Sequence, residues 1–289
     1  MKNLTNADYL KEFAIRQTAE PEAVPTPFPS LNSILRDEGG GIGTAKGWVG
    51  IIAANPGHFK SVLGINFCAE AMKKGMPTAY VSLEMSDNQI ASRAYAIISG
   101  QSVARLESGS FSPKTFELAS GEVMKMPPLY CPERVSTQWE DVVDFVKVCH
   151  EEHSVDYFVL DYIQLTAIGG SESIVEAISN VTTDLRAWAV NNRVCVIILS
   201  QFNRRTSSDY TQPPRSQGLH GSQILEASAD WIALVDHSRV KRENNRCLFW
   251  LCIDKNRHGV SQISIPVEVS YDTLRARECL EDELNEFIK

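Results

Sequence analysis

The sequence predicts an α/β fold, with a mostly parallel central sheet and helices packed on both of its faces. From residue 47 onward, short β-branched apolar runs alternate with helical stretches: "WVGIIAA", "TAYVSLE", "YFVLDYI", "VCVIILSQ", "WIALVD" and "LFWLCID". A strand covered on both faces loses the in-out alternation of a half-exposed sheet and reads as a continuous apolar run. Parallel neighbours also need long, usually helical, crossovers between them. The second observation is size. A chain of 289 residues, 43% of them hydrophobic, can bury one large core or two small ones.

Taken in order, residues 4 to 19 read as a short amphipathic helix whose apolar members are Leu4, Tyr9, Leu10, Phe13 and Ile15. The "EPEAVPTPFP" that follows holds four prolines, which forbid helix and make a stiff linker. The arm's apolar stripe is left with two partners, its own body or a neighbouring subunit. "DEGGGIGTAKG" is a glycine-rich turn. "AIGGSES" (167–173) and "RRTSSDYTQPPRSQG" (204–218) are rich in Gly, Ser, Pro and Gln and leave the ends of two strands, where binding loops of α/β folds gather. The expected division is an arm over 1–23, a main domain over 24–275 and an acidic helical tail over 276–289.

Bulk composition excludes little. A net charge of -8 argues against a generally basic nucleic-acid coat, while leaving room for one local basic stripe. Seven scattered cysteines without a CxxC pair, and no apolar signal region at "MKNLTNADYLKEF", fit a reducing, cytoplasmic setting. No run approaches the length of a membrane span. In "CHEEH", Cys149, His150 and His153 fall on a helix, but the spacing is not that of H-E-x-x-H and a fourth ligand is missing, so it reads as a helix end.

The chemistry gathers at strand ends. "ANPGHFKS" (54–61) departs from the phosphate-loop template G-x-x-x-x-G-K-[ST] at Ala54 and Phe59, yet it follows a strand and precedes the helical "SVLGINFCAEAMKKG". In that position the backbone of Asn55, Pro56, Gly57, His58 and Phe59 cradles phosphates, Lys60 reaches the β and γ phosphates, and Ser61 holds Mg²⁺. Phe59 replaces a glycine whose missing Cβ lets phosphate approach, and its ring has to fold away from the ligand. Asp161 ends a buried run in "YFVLDYIQL", which is either an ordinary strand end or the Mg²⁺-binding acid that such a loop requires. Glu84 ends "AYVSLEM" on a strand expected beside the phosphate loop, either as a solvated helix-start residue or as the base that polarises the attacking water. In "VIILSQFNRR", Gln201 is placed to sense the γ-phosphate. Arg204 and Arg205 open the mobile loop, solvated or bound to DNA phosphates.

Together these segments resemble the C-terminal motor domain of the DnaB family of replicative helicases, a RecA-like ATPase. "VSLEMSDNQIASR" is similar to that family's S-L-E-M…Q…R segment, "VLDYIQL" to D-Y-L-Q-L, "LSQFNR" to L-S-Q-L-N-R, "SQILEASADWIALV" to S-G-S-I-E-Q-D-A-D, and "DKNRHG" to K-Q-R-N-G. The resemblance covers about residues 24 to 270. It implies a RecA-like phosphate-loop core that hydrolyses ATP with Mg²⁺. Lys60 and Ser61 become the nucleotide and metal ligands, Asp161 the metal-binding acid, Glu84 the base and Gln201 the γ-phosphate sensor. Lys255 and Arg257 become a cationic finger reaching a neighbour's ATP, a role that gives about 10³ to 10⁵ in rate in comparable ATPases.

Such a finger implies a ring, normally six subunits, with single-stranded DNA in the central channel and 5′ to 3′ travel. Residues 4 to 19 then take the place of the linker helix that grips the next subunit. The DNA-contacting segment L-R-E-S-G-S appears here as "LHGSQI", so His220, Gly221 and Ser222 stand at the strand-binding positions, with Arg204, Arg205 or Arg215 supplying charge. The resemblance further implies that the family's helical N-terminal domain is absent, as in a minimal phage-like or plasmid-like helicase of a bacterial or phage-infected cell, with primase and a helicase loader as further partners. Two alternatives share the core: a strand-exchange filament, and a ring that binds nucleotide without hydrolysing it, for which Phe59 is the support.

Overall fold

Every apolar run picked out above becomes a strand. The computed structural model describes residues 23–36, 42–110, 112–133, 138–161, 174–202, 222–243, 245–280 and 283–284. The strands are β1 Ala23–Val24, β2 Thr44–Ala45, β3 Val49–Ala54, β4 Thr78–Ser82, β5 Leu129–Tyr130, β6 Tyr157–Asp161, β7 Cys195–Gln201, β8 Trp231–Glu243, β9 Arg246–Asn256, β10 Ile263–Ser270 and β11 Ala276–Glu278. The helices are α1 Pro29–Ile34, α2 Lys60–Lys73, α3 Asp87–Ser99, α4 Val103–Glu107, α5 Pro113–Val123, α6 Trp139–His153, α7 Ile174–Asn192 and α8 Ser222–Ser228.

Among the described residues nine strands form one sheet in the order β11-β10-β9-β8-β3-β7-β6-β4-β5. The half from β8 to β5 is parallel, and β9, β10 and β11 extend it as antiparallel neighbours. Successive residues of a strand serve opposite faces. Ile52, Tyr80, Val159 and Ile197 pack under α2 and α3 on one side, while Ile51, Phe158, Val196 and Ile198 pack against α6 and α7 on the other. Both faces are therefore core, which is why the strands are apolar without alternation. Each such side chain contributes about 1.5–3 kcal/mol when fully buried.

Three expectations change. The strand holding Glu84 does not lie beside the phosphate-loop strand: β7 and β8 flank β3, and β4 stands beyond β7 and β6. Which strands become neighbours is settled by the packing of crossovers, and the period of a strand carries no record of it. The proline-rich stretch is more than a linker, because Ala23–Val24 pairs with Thr44–Ala45 and α1 starts on Pro29. Proline is tolerated at the first helical position, where its missing N–H has no partner to lose. Past residue 275, Ala276–Glu278 is a sheet strand paired with β10. The arm at 4–19 and the loops at 167–173 and 204–218 lie outside the described residues.

All seven cysteines are free. "CHEEH" is the last turn of α6; Cys149 is buried in the core, where burial pushes its thiol up to about 11. No group of three metal-ligating side chains occurs among the described residues, and no described helix is long and apolar enough to cross a membrane.

Candidate active site

The strand order β3-β7-β6-β4 delivers four chain segments to one sheet edge. In register, Ala54 lies opposite Gln201 and Ser82 opposite Asp161. The loop from β3 to α2, the end of β7 and the turn after β4 therefore meet around one cleft of about 470 Å³, with the end of β6 buried behind Lys60. Its walls include Asn55 to Val62, Glu84, Arg93 and Gln201.

The loop is shaped by two residues with positive φ. Gly57 has φ 75° and Phe59 φ 60°. Phe59 stands at the N-cap of α2, with no side chain capping the helix and no acidic residue in its first turn. The leading N–H groups of α2 are thus left to an anion, the general condition for phosphate at a helix N-terminus. The Phe59 ring turns aside, stacking on Phe249 at 5.5 Å and leaning on Tyr271 at 5.7 Å. Gly64 lets α2 lie low on the sheet, since a Cβ there would stand 2.7 Å from Leu199 and 3.1 Å from Val159.

Lys60 and Asp161 meet at 2.6 Å, with side chains 7% and 0% exposed. The other oxygen of Asp161 accepts from the Tyr80 hydroxyl at 2.7 Å. Burial, and then the charge of Asp161, raise the Tyr80 hydroxyl well above its ordinary value and keep it a donor. Glu84 is set by the turn that carries it: Ser82 Oγ accepts from the N–H of Glu84 at 3.2 Å and of Met85 at 2.6 Å, while the Leu83 N–H donates to the Asp161 carbonyl at 2.8 Å. This turn places the exposed Glu84 on the wall of the cleft. Asn55 is 3% exposed and neither atom of its amide has a hydrogen-bond partner. A buried unpaired amide costs about 1–3 kcal/mol, which a ligand's acceptors in this cleft would relieve.

Lys255 and Arg257 are not in this cleft. They close β9 and the turn after it, and both grip the end of α8. Lys255 donates to the carbonyls of Glu226 and, at 2.8 Å, of Ala229; Arg257 donates to the carbonyl of Ala227. Burial, and then the neighbouring Arg257, lower the Lys255 ammonium below its ordinary value. Ser222 begins α8. Arg204, Arg205, Arg215, His220 and Gly221 lie outside the described residues.

Sequence reasoning missed two contributors. Tyr80 sits inside an apolar run and reads as core. Arg93 belongs to the segment "SDNQIASR", and its position seven residues along α3 from Ser86 is the signal that could have found it; it lines the cleft opposite the phosphate loop.

Comparison with known proteins converges on the same segments. Residues 23–274 match the family model described as "DnaB-like helicase C terminal domain". A Chlamydia psittaci protein named "Probable plasmid replicative DNA helicase" is 27% identical over 267 residues, 89% of this chain and 54% of that protein. "Replicative DNA helicase DnaB" of Buchnera aphidicola subsp. Acyrthosiphon pisum is 28% identical over 217 residues, 72% of this chain and 47% of that protein. The chain thus spans about half the length of these curated relatives. The solved "ATPase Domain of G40P" superposes with a TM-score of 0.81 at 17% identity, over 97% of this chain and 100% of that one. A structure of a DnaB-like replicative helicase and its interactions with primase superposes at 0.76 and 17% identity, over 96% of this chain and 67% of that one.

Proposed function

Because the chain belongs to the DnaB-like helicase C-terminal domain family, we propose that it is an ATP-driven motor that travels on single-stranded DNA and unwinds duplex as a ring of like subunits. The observation that carries the reading is the division of the chemistry: Lys60, Ser61, Glu84 and Gln201 line one cleft, with Asp161 buried against Lys60, while Lys255 and Arg257 stand outside it. In this reading Arg93 is the cleft's own arginine, and the finger formed by Lys255 and Arg257 is supplied to it by a second copy.

The residues fit a magnesium-bound triphosphate. Asn55 offers a buried unpaired amide, α2 an uncapped N-terminus, and Lys60 and Asp161 one charge of each sign. When bound, the metal neutralises charge that develops on the transferring phosphoryl group. In this reading Lys60 and the loop amides hold the phosphates, with Asn55, Pro56, Gly57, His58 and Phe59 forming the cradle. Ser61 and Asp161 orient the metal, Arg93 adds a second cation, and Glu84 takes the proton of the attacking water. Gln201 lines the cleft at the end of β7 and leads along the chain toward Arg204, Arg205 and Arg215. These arginines, with His220, Gly221 and Ser222, face the strand. The direction of travel is 5′ to 3′, the ring has six subunits, and primase and a loader are its partners. The support for a non-hydrolysing ring is weakened, because the Phe59 ring stacks on Phe249 and leans on Tyr271.

Phosphate release by the purified chain, with and without single-stranded DNA, tests the reading. Turnover stimulated by DNA, abolished by Lys60→Ala and by Glu84→Gln, is expected, together with strand separation on a forked duplex. Turnover that is absent, or indifferent to both substitutions, sinks the proposal.

A further inference from the structure

Two side chains of the turn that carries Arg257 converge on one buried carboxylate. Asp230, between α8 and β8, is 1% exposed. Its Oδ2 accepts from the Val49 N–H at 2.8 Å and from Arg186 on α7. Its Oδ1 faces the turn after β9, with His258 Nε2 at 3.3 Å and Arg257 Nη1 at 3.8 Å. The backbone repeats the connection: the Arg257 N–H donates to the Asp230 carbonyl at 2.8 Å, and the Asp230 N–H to the Val49 carbonyl at 2.7 Å. The His258 ring lies flat on Trp48, 3.8 Å between centroids and 8° between planes.

A buried carboxylate is costly unless fully paired. Val49 and Arg186 already satisfy Oδ2. The remaining oxygen is spent on two side chains of a surface turn. A guanidinium has five N–H donors in a fixed fork. The Nη2 of Arg257 donates to the Ala227 carbonyl and its Nη1 lies 3.8 Å from Asp230, while the side chain stays 40% exposed. These two contacts fix the orientation in which the exposed part of the guanidinium is presented.

We propose that Asp230 is the positioning residue for Arg257, holding the guanidinium in the orientation in which it meets the nucleotide of a neighbouring copy. The inference rests on the trans-finger reading above and adds to it the group that aims the finger. His258, clamped between Trp48 and Asp230, is the second hold on the same turn.

The test mixes subunits. Asp230→Asn keeps the shape and removes the charge. Asp230 does not line the cleft and its backbone bond to Val49 remains, so nucleotide affinity is expected to stay as in the parent chain, while DNA-stimulated turnover falls by about 10²-fold, the cost of misplacing a reacting group by about 1 Å. The double variant with Arg257→Ala is no slower than Arg257→Ala alone. Added Lys60→Ala subunits, inert themselves but carrying intact fingers, restore turnover to Asp230→Asn as they do to Arg257→Ala.

Full activity of Asp230→Asn overturns the proposal, as does a loss that Lys60→Ala subunits repair in Arg257→Ala but not in Asp230→Asn. If Arg257→Ala is not repaired either, the trans finger itself fails and takes this inference with it. Should Asp230→Asn not fold, His258→Ala at the exposed turn replaces it. A loss of about tenfold that the same mixing repairs is expected, and unchanged turnover overturns the proposal.

Discussion

Phe59 carries the backbone into the left-handed region at φ 60° while its ring stacks on Phe249. The two facts have opposite energetic signs and separate by substitution. A non-glycine residue there is strained by about 1–2 kcal/mol, and each aromatic contact returns about 0.5–1.5 kcal/mol. Phe59→Ala keeps the strain and loses the ring, whereas Phe59→Gly loses both. The glycine variant is therefore expected to be more stable than the alanine variant by about 1 kcal/mol, read from their urea midpoints. Asn55 gives a second prediction. Removing its unpaired buried amide leaves the melting temperature of the nucleotide-free chain unchanged or raised, while Mg²⁺-ATP affinity falls about 10-fold or more, the worth of a hydrogen bond to a charged group. Calorimetric titration and thermal melts measure the two halves. The residues readable in advance were those that interrupt apolar runs: Asp161, Glu84 and Gln201 stand out as polar ends. Tyr80 and Arg93 did not, because a tyrosine inside a strand looks like core and an arginine on a helix looks solvated until the opposing wall is known.

At the scale of elements, the parallel strands were legible because burial on both faces leaves an unbroken apolar run. The antiparallel extension was less so. "ISIPVEVS" of β10 contains Pro266 and a buried Glu268, both poor strand signals; Glu268 is tolerated because Arg246 at 3.0 Å and Arg277 at 3.2 Å pair with it. Arg277 also binds Glu283 at 2.8 Å, and that hydrogen bond holds the Glu283 carboxyl down from its ordinary 4.5 to about 2. The sign follows from linkage. A carboxyl depressed in the folded state contributes stability above pH 4.5 that is lost as the pH falls toward about 2. The pair is open to solvent, so its worth is below about 1 kcal/mol. Glu283→Gln is expected to lower the urea midpoint slightly at neutral pH and to match the parent chain at the acid end; an equal deficit at both would remove the ion pair as the cause.

For the whole molecule the issue is how a chain of net charge -8 would hold a polyanion. The proposed ring would do so by facing a few cations inward, and the binding would then depend steeply on salt. Each phosphate met on a single strand adds about -0.7 to the slope of log K against log salt. Arg204→Ala, Arg205→Ala and Arg215→Ala are each expected to flatten that slope by about 0.7 for every phosphate the arginine neutralises, in anisotropy titrations of labelled oligonucleotide. Substitutions at solvated arginines leave it unchanged. Sedimentation of the chain with a slowly cleaved ATP analogue separates a closed ring from an open filament.

The contact between Lys60 and Asp161 has one more consequence. The lysine and the aspartate cancel each other where both are buried. A triphosphate arriving bare would draw the ammonium away and leave an uncompensated carboxylate facing its own negative charge. Arriving with its divalent ion, it returns a cation for the one it takes. In the proposed reading the cleft would thus favour the metal complex over the naked nucleotide.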